Sequence, residues 1–123
     1  MESFKFENLD IWKLACQYAD KIHNLTKNFP RDELFSLTDQ LNRSSSSIAD
    51  NIAEGSGATT VKDFSNYLQT LIKSTYESVS QLYRAFRRGY ITEKQKTDFY
   101  NEAKTLVSKI VAFKKTINIR GRF

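Results

Sequence analysis

The sequence predicts an all-α fold, an antiparallel up-down-up-down four-helix bundle that forms a single domain over residues 1–123. Three observations carry this expectation. Four stretches repeat apolar residues at helical spacing. The 123 residues include one proline and four glycines, too few to punctuate a many-stranded sheet. The composition is 40% hydrophobic and 27% charged, which suits a soluble chain able to bury one core.

The first helix is expected over about residues 10–28. Ile11, Leu14, Ala15, Tyr18, Ile22, Leu25 and Phe29 fall on one arc, with Asp10 as a plausible N-cap. The second is expected over about residues 30–54, with Pro30 in its first turn and Asp32 and Glu33 facing the positive helix end. Leu34, Leu37, Leu41, Ile48 and Ile52 share its inner face. The third, over about residues 61–88, follows Thr60 as cap, with Asp63 three residues later. Its core line is Phe64, Leu68, Leu71, Ile72, Thr75, Val79, Leu82 and Phe86, and Arg87-Arg88-Gly89 is a C-terminal signal. The fourth, over about residues 93–118, opens on the capping box Thr92-Glu93-Lys94-Gln95. Phe99, Ala103, Leu106, Ile110, Phe113 and Ile117 form its inner line, and residues 119–123 read as a frayed basic tail. Short connections make neighbouring helices antiparallel. The first helix is shorter than the third and fourth, so one end of the bundle is expected to be uneven.

The run Arg43-Ser-Ser-Ser-Ser-Ile48 looks like low complexity, yet helical period continues through it to Ala49 and Ile52. Ser45 falls in the core arc, Ser44 on its border, and Ser46 and Ser47 point away. A small side chain at the core position lets a neighbouring helix approach. Glu54-Gly55-Ser56-Gly57 matches no phosphate-binding loop, since no strand precedes it and no Gly-Lys-Ser/Thr follows. It reads as a helix stop, with Gly55 or Gly57 taking the left-handed conformation.

Apolar residues remain once the core is filled. Trp12, Cys16 and Ala19, with His23, line a second stripe on the first helix. Tyr76, Tyr83 and Tyr90 recur every seven residues on the third, and Tyr100, Val107 and Val111 widen the apolar face of the fourth. These nine apolar and aromatic residues are candidates for a subunit interface; a generously packed core rim, or tyrosines stacking on unpaired bases, are the alternatives.

The formal charge is +5, and it is uneven. Residues 84–123 carry eleven Lys/Arg against three acids, a net of +8, and the first 83 residues carry eight against eleven, a net of −3. Such asymmetry suits a polyanionic partner or complementary subunit faces. Lys62, Lys73, Arg84 and Arg87 share one side of the third helix, interrupted by Glu77, and Lys104 and Lys115 share a side of the fourth. With Arg88, Arg120 and Arg122 they are the candidate nucleic-acid-binding residues, positioned for phosphates rather than for base sequence.

Catalytic and metal chemistry find little footing. His23 is the sole histidine and Cys16 the sole cysteine, so no zinc set, no internal disulfide and no metal or other cofactor is expected. Arg43, Asp50, Asn51 and Glu54 cluster as polar groups on the second helix, where capping or pairing across subunits accounts for them. The opening MESFKFENLD does not read as a signal peptide, and no apolar run reaches the roughly 18 residues of a membrane span. A cytoplasmic protein with no membrane partner is expected.

FENLDIWKLA, FP at 29–30, LTDQLNRSSSSIADNIAEGSG at 37–57, DFSNYL at 63–68 and RRGYIT at 87–92 resemble the four-helix-bundle proteins encoded by intervening sequences in bacterial 23S rRNA genes, also called S23 ribosomal-like proteins. The segment Ser47 to Gly55 is the most specific part, and Arg43, Ser45, Asn51, Glu54, Gly55 and Gly57 are its motif positions here. The resemblance implies a homopentamer without established enzymatic activity. It also implies kinship with the accessory variability protein of diversity-generating retroelements, which binds RNA and a reverse transcriptase. Where many relatives carry Ala-Ala this chain has Ser45-Ser46, and Lys73-Ser74 replaces a Gly-Ser pair. The expected function is therefore a non-catalytic homo-oligomer that binds nucleic acid, RNA above DNA. The alternative is a scaffold docking a partner enzyme such as a reverse transcriptase, with no direct nucleic-acid contact.

Overall fold

The computed structural model describes residues 3–123. The apolar stripes lie on four helices: α1 at Asp10–Thr26, α2 at Leu37–Ser56, α3 at Val61–Arg87 and α4 at Glu93–Arg120. Single 3-10 turns at Lys5–Asn8 and Arg31–Glu33 precede α1 and α2, and no strand occurs among the described residues. α2 packs on α1 and most extensively on α3, while α4 packs on α3 and closes the bundle against α1. Paired positions run in opposite directions, as in Ser44 with Gln81 and Ser47 with Ser74 between α2 and α3. Tyr18, Ile22, Leu37, Leu41, Ile48, Ile52, Phe64, Leu68, Leu71, Leu82 and Ile110 are enclosed at the centre. Each contributes about 1.5–3 kcal/mol by leaving water.

Polar groups line the core where helices approach closely. The Tyr18 hydroxyl crosses from α1 to Ser78 on α3 at 2.8 Å, and burial raises its pKa to about 12. Ser44 donates to Gln81 Oε1 at 2.6 Å, and Thr75 donates back to the Leu71 carbonyl at 2.8 Å. No buried side-chain polar atom among the described residues lacks a partner, so these groups cost little to enclose.

The caps at Thr60 and Thr92 form as expected, accepting the Asp63 and Gln95 amides, each at 3.1 Å. Gly89 ends α3 with φ 79°. Asp10, in contrast, is the first residue inside α1; Leu9 occupies the cap position and makes no side-chain bond.

Other expectations need correction. α2 does not start at Pro30, because Glu33 is drawn out of register by partners from elsewhere. Its carboxylate accepts from Ser36 Oγ at 2.5 Å, Arg88 at 2.7 Å and the Tyr90 hydroxyl at 2.7 Å. These bonds hold the segment as one tight turn and leave Leu34 and Phe35 exposed, so Leu34 is not a core residue. Gly55 and Gly57 are not left-handed. Gly55 lies inside α2, and a Cβ there would meet the Cβ of Tyr67 at 2.6 Å. Gly57 follows the helix with φ −82°. Ser47 turns toward α3 rather than away, at 3.0 Å from Ser74 Oγ. Ser45 is enclosed, bonding three residues back to the Asn42 carbonyl. The tail is not frayed: α4 runs to Arg120, Gly121 turns with φ 68°, and the Phe123 ring packs 4.7 Å from that of Phe64. The Lys5–Asn8 turn and Phe123 lie together at the end of the bundle where α1 begins, around a cavity that they border.

Candidate functional site

The face formed by α3 and α4 gathers most of the residues singled out by sequence. Tyr76, Tyr83 and Tyr100 are 69%, 42% and 38% exposed. Tyr76, Val79, Tyr100 and Val107 line an open groove of about 370 Å³, with Lys104 at its edge. Tyr83 and Tyr100 meet edge to face at 6.4 Å, and the Lys96 ammonium lies 4.9 Å from the Tyr83 ring centre. Val111 continues the stripe and is half exposed.

Cations border this groove. At 100° per residue, Lys62, Lys73, Arg84 and Arg87 fall within about 60° on the outward side of α3, next to the tyrosines. Lys104 lies at the α4 edge of the groove and Lys115 beyond it. Among the described residues, none of these six forms an ion pair. Arg84 does bond to Gln40 Oε1 across the α2–α3 seam at 3.0 Å. Glu77, which accepts from Gln81, is exposed on the same outward side of α3 beside Lys73 and Arg84, while Glu102 pairs with Lys21 of α1 and Asp98 with Lys94. The aromatic stripe thus runs between cation rows on one face, although the sequence presents them as separate features.

Several candidates lie apart from that face. Arg88 and Tyr90 are engaged with Glu33, which ties the α1–α2 connection to the α3–α4 connection. The Tyr90 ring also packs 5.5 Å from Phe29. The hydrogen bonds from Ser36, Tyr90 and Arg88 bring the Glu33 carboxyl down to about 2. No local pattern announces this cluster, since Arg88 lies 55 residues away in sequence. Arg120 and Arg122 border a cavity at the opposite end of the bundle.

Trp12, Cys16 and Ala19 are half-buried on the α1–α2 flank, opposite the α3–α4 face. Trp12 packs on Phe6 at 4.9 Å. Burial, then Asp20 and Asp50, push the Cys16 thiol pKa up, so it is a poor nucleophile. On α2, Arg43 is exposed and lies 3.8 Å from Asp39, while the Asn51 amide donates to Ser47. Glu54, beside Tyr67, raises that phenol's pKa. His23 is exposed and lines a groove with Lys27, Phe29, Arg31 and Asp39, and among the described residues its side chain makes no hydrogen bond to a serine hydroxyl or thiol. No cluster of three His, Cys, Asp or Glu able to hold a metal occurs among the described residues. No helix there is long and apolar enough to cross a membrane.

Fold and surface together define an all-α helical bundle with an aromatic and cationic face. The chain belongs to the 23S rRNA-intervening sequence protein family, whose model matches residues 7–112. It is similar to a crystal structure of a protein with unknown function from the S23 ribosomal protein family, from Bacteroides thetaiotaomicron VPI-5482. The two share 27% identity over 85% of this chain and 98% of that one, with a TM-score of 0.79. No curated protein matches the chain.

Proposed function

We propose that this protein is a non-catalytic homo-oligomer that binds nucleic acid, RNA above DNA, through the cations of the α3–α4 face. The observation that carries this is the two cation rows that flank exposed tyrosines and form no ion pair among the described residues, with Glu77 the one acid set within the α3 row. Cations of this kind hold phosphates, and aromatic rings add sequence-tolerant contact. The family description, an intervening sequence of 23S rRNA, is in keeping with RNA.

Self-association is supported by the opposition of two unlike flanks. The α3–α4 groove is apolar and cationic, while Trp12, Cys16 and Ala19 sit beside Asp20 and Asp50. Two different faces meeting head to tail close into a ring when the rotation allows, and the family resemblance favours five subunits. If a neighbour covers the groove, the outward row Lys62, Lys73, Arg84 and Arg87 stays open to phosphates.

The test combines light scattering on a sizing column with fluorescence anisotropy on a structured RNA and a single-stranded DNA. An assembly near five subunits is expected, with RNA affinity falling steeply between about 50 and 200 mM salt. If four cations neutralise phosphates, the log–log slope on a single strand is about −3. A monomer at micromolar concentration, or no binding at low salt, overturns the corresponding half of the proposal.

A second reading, a scaffold that docks a partner protein, is favoured by Leu34 and Phe35, held outward at 50% and 91% exposure. Pull-down after nuclease treatment separates the two: a partner retained without nucleic acid and lost in Phe35→Ser supports docking.

A further inference from the structure

The end of the bundle that holds Phe123 contains a cavity of about 420 Å³, within the range of small-molecule sites. Its wall is aromatic: half-buried Phe113 and Phe123 pack edge to face on the enclosed Phe64, at 5.6 and 4.7 Å. Its rim is cationic: Lys5, Arg120 and Arg122 all border it, and among the described residues no Asp or Glu side chain does. None of the three pairs with a carboxylate within 4 Å among the described residues. The Lys5 ammonium sits 4.7 Å from the Phe123 ring centre, so one cation is already held at the wall. Hydroxyls of Ser56 and Thr116 also line the space. Both donate to their own helix carbonyls, at 2.7 and 2.9 Å, and keep their oxygens able to accept.

A structural plug would not need three cations around it. Converging like charges repel, and the cost is recovered when a doubly charged anion sits among them. The apolar wall asks the rest of the ligand to be planar and unsaturated, and the hydroxyl acceptors suit sugar hydroxyls.

We propose that this cavity binds a nucleoside monophosphate group, with the base against the phenylalanine wall and the phosphate among Lys5, Arg120 and Arg122. The group is either a free mononucleotide or the 5′-phosphorylated end of a strand. The site is separate from the cation rows of α3 and α4 and does not require them.

The test is NMR titration of the full chain with AMP, adenosine and inorganic phosphate. AMP is expected to shift signals of Ser56, Phe113, Thr116 and Phe123. Adenosine and phosphate should each bind at least about tenfold more weakly, because each lacks half of the recognition. The variant Arg120→Gln/Arg122→Gln, changed only at exposed positions, should keep the helical circular dichroism of the parent and lose about tenfold in AMP affinity. A trinucleotide with and without a 5′-phosphate distinguishes the sources: tighter binding than AMP, dependent on the phosphate, assigns a strand end, and weaker binding assigns a free nucleotide. No shift around the cavity at millimolar AMP, or equal AMP affinity in the double variant, overturns the proposal. The outcome is independent of RNA binding on α3, which Lys73→Gln reports separately.

Discussion

Gly55→Ala is expected to destabilise the protein, although alanine is the better helix former. A Cβ at residue 55 would lie 2.6 Å from Tyr67 Cβ and 2.9 Å from Phe64 Cδ1. Tyr67 Cβ is fixed to the α3 backbone, so no rotamer change relieves the contact. α2 and α3 must separate by about 0.8 Å to restore an ordinary van der Waals distance. Overpacking of this kind costs about 1–3 kcal/mol. The separation also stretches the neighbouring bonds of Ser44 with Gln81 and Ser47 with Ser74, each worth about 1 kcal/mol. The gain in helix propensity is about 0.8–1.0 kcal/mol. The net expectation is a loss of about 1–3 kcal/mol, or about 4–12 °C in Tm for a domain of this size. Urea unfolding followed by circular dichroism, at one fixed protein concentration, measures it. Gly57→Ala is the control: it has ordinary φ and open surroundings apart from the Glu54 carbonyl at 3.3 Å, and should change stability by less than about 0.5 kcal/mol. If Gly55→Ala is neutral or stabilising, the close approach of α2 and α3 is not what requires glycine.

Other expectations follow from single contacts. Glu33 titrates near 2, against an ordinary 4.5; a lowered carboxylate stabilises fully above its unfolded pKa and loses that contribution as pH falls toward the folded one. Stability should therefore decline from about pH 4.5 to about pH 2, and urea midpoints of Glu33→Gln should lack that component; an identical decline in both proteins counts against the cluster. Tyr18→Phe should cost about 0.5–1.5 kcal/mol, since Ser78 keeps its bond to the Thr75 carbonyl, while Ser78→Ala strands a buried phenol and should cost about 1–3 kcal/mol. The reverse order in thermal unfolding would refute that accounting. Phe123→Ala removes the Phe64 contact and the Lys5 cation contact, and should lower stability by about 1–2 kcal/mol; a silent variant would mean the ring adds nothing to the fold. Lys73→Gln should reduce the salt slope of RNA binding by about 1 with little effect on sequence preference, and an unchanged slope would exclude Lys73 from the phosphate contacts.

The sequence by itself determined the number of helices, their inner faces, and the stops and starts at Thr60, Gly89 and Thr92. Those features depend on residues within a turn or two of each other, where period, capping hydroxyls and positive φ act locally. It also carried the family through Ser47 to Gly55. Only the tertiary structure decided why Gly55 is glycine, because the clash comes from a helix that passes 12 residues later. The same holds for the turn of Ser47 toward Ser74, the displacement of Glu33 by Arg88 and Tyr90, and the return of Phe123 to Phe64. It also brought the tyrosine and cation rows of α3 alongside those of α4 to make one face. That placement depends on which helices are neighbours, and helix packing sets it through contacts tens of residues apart.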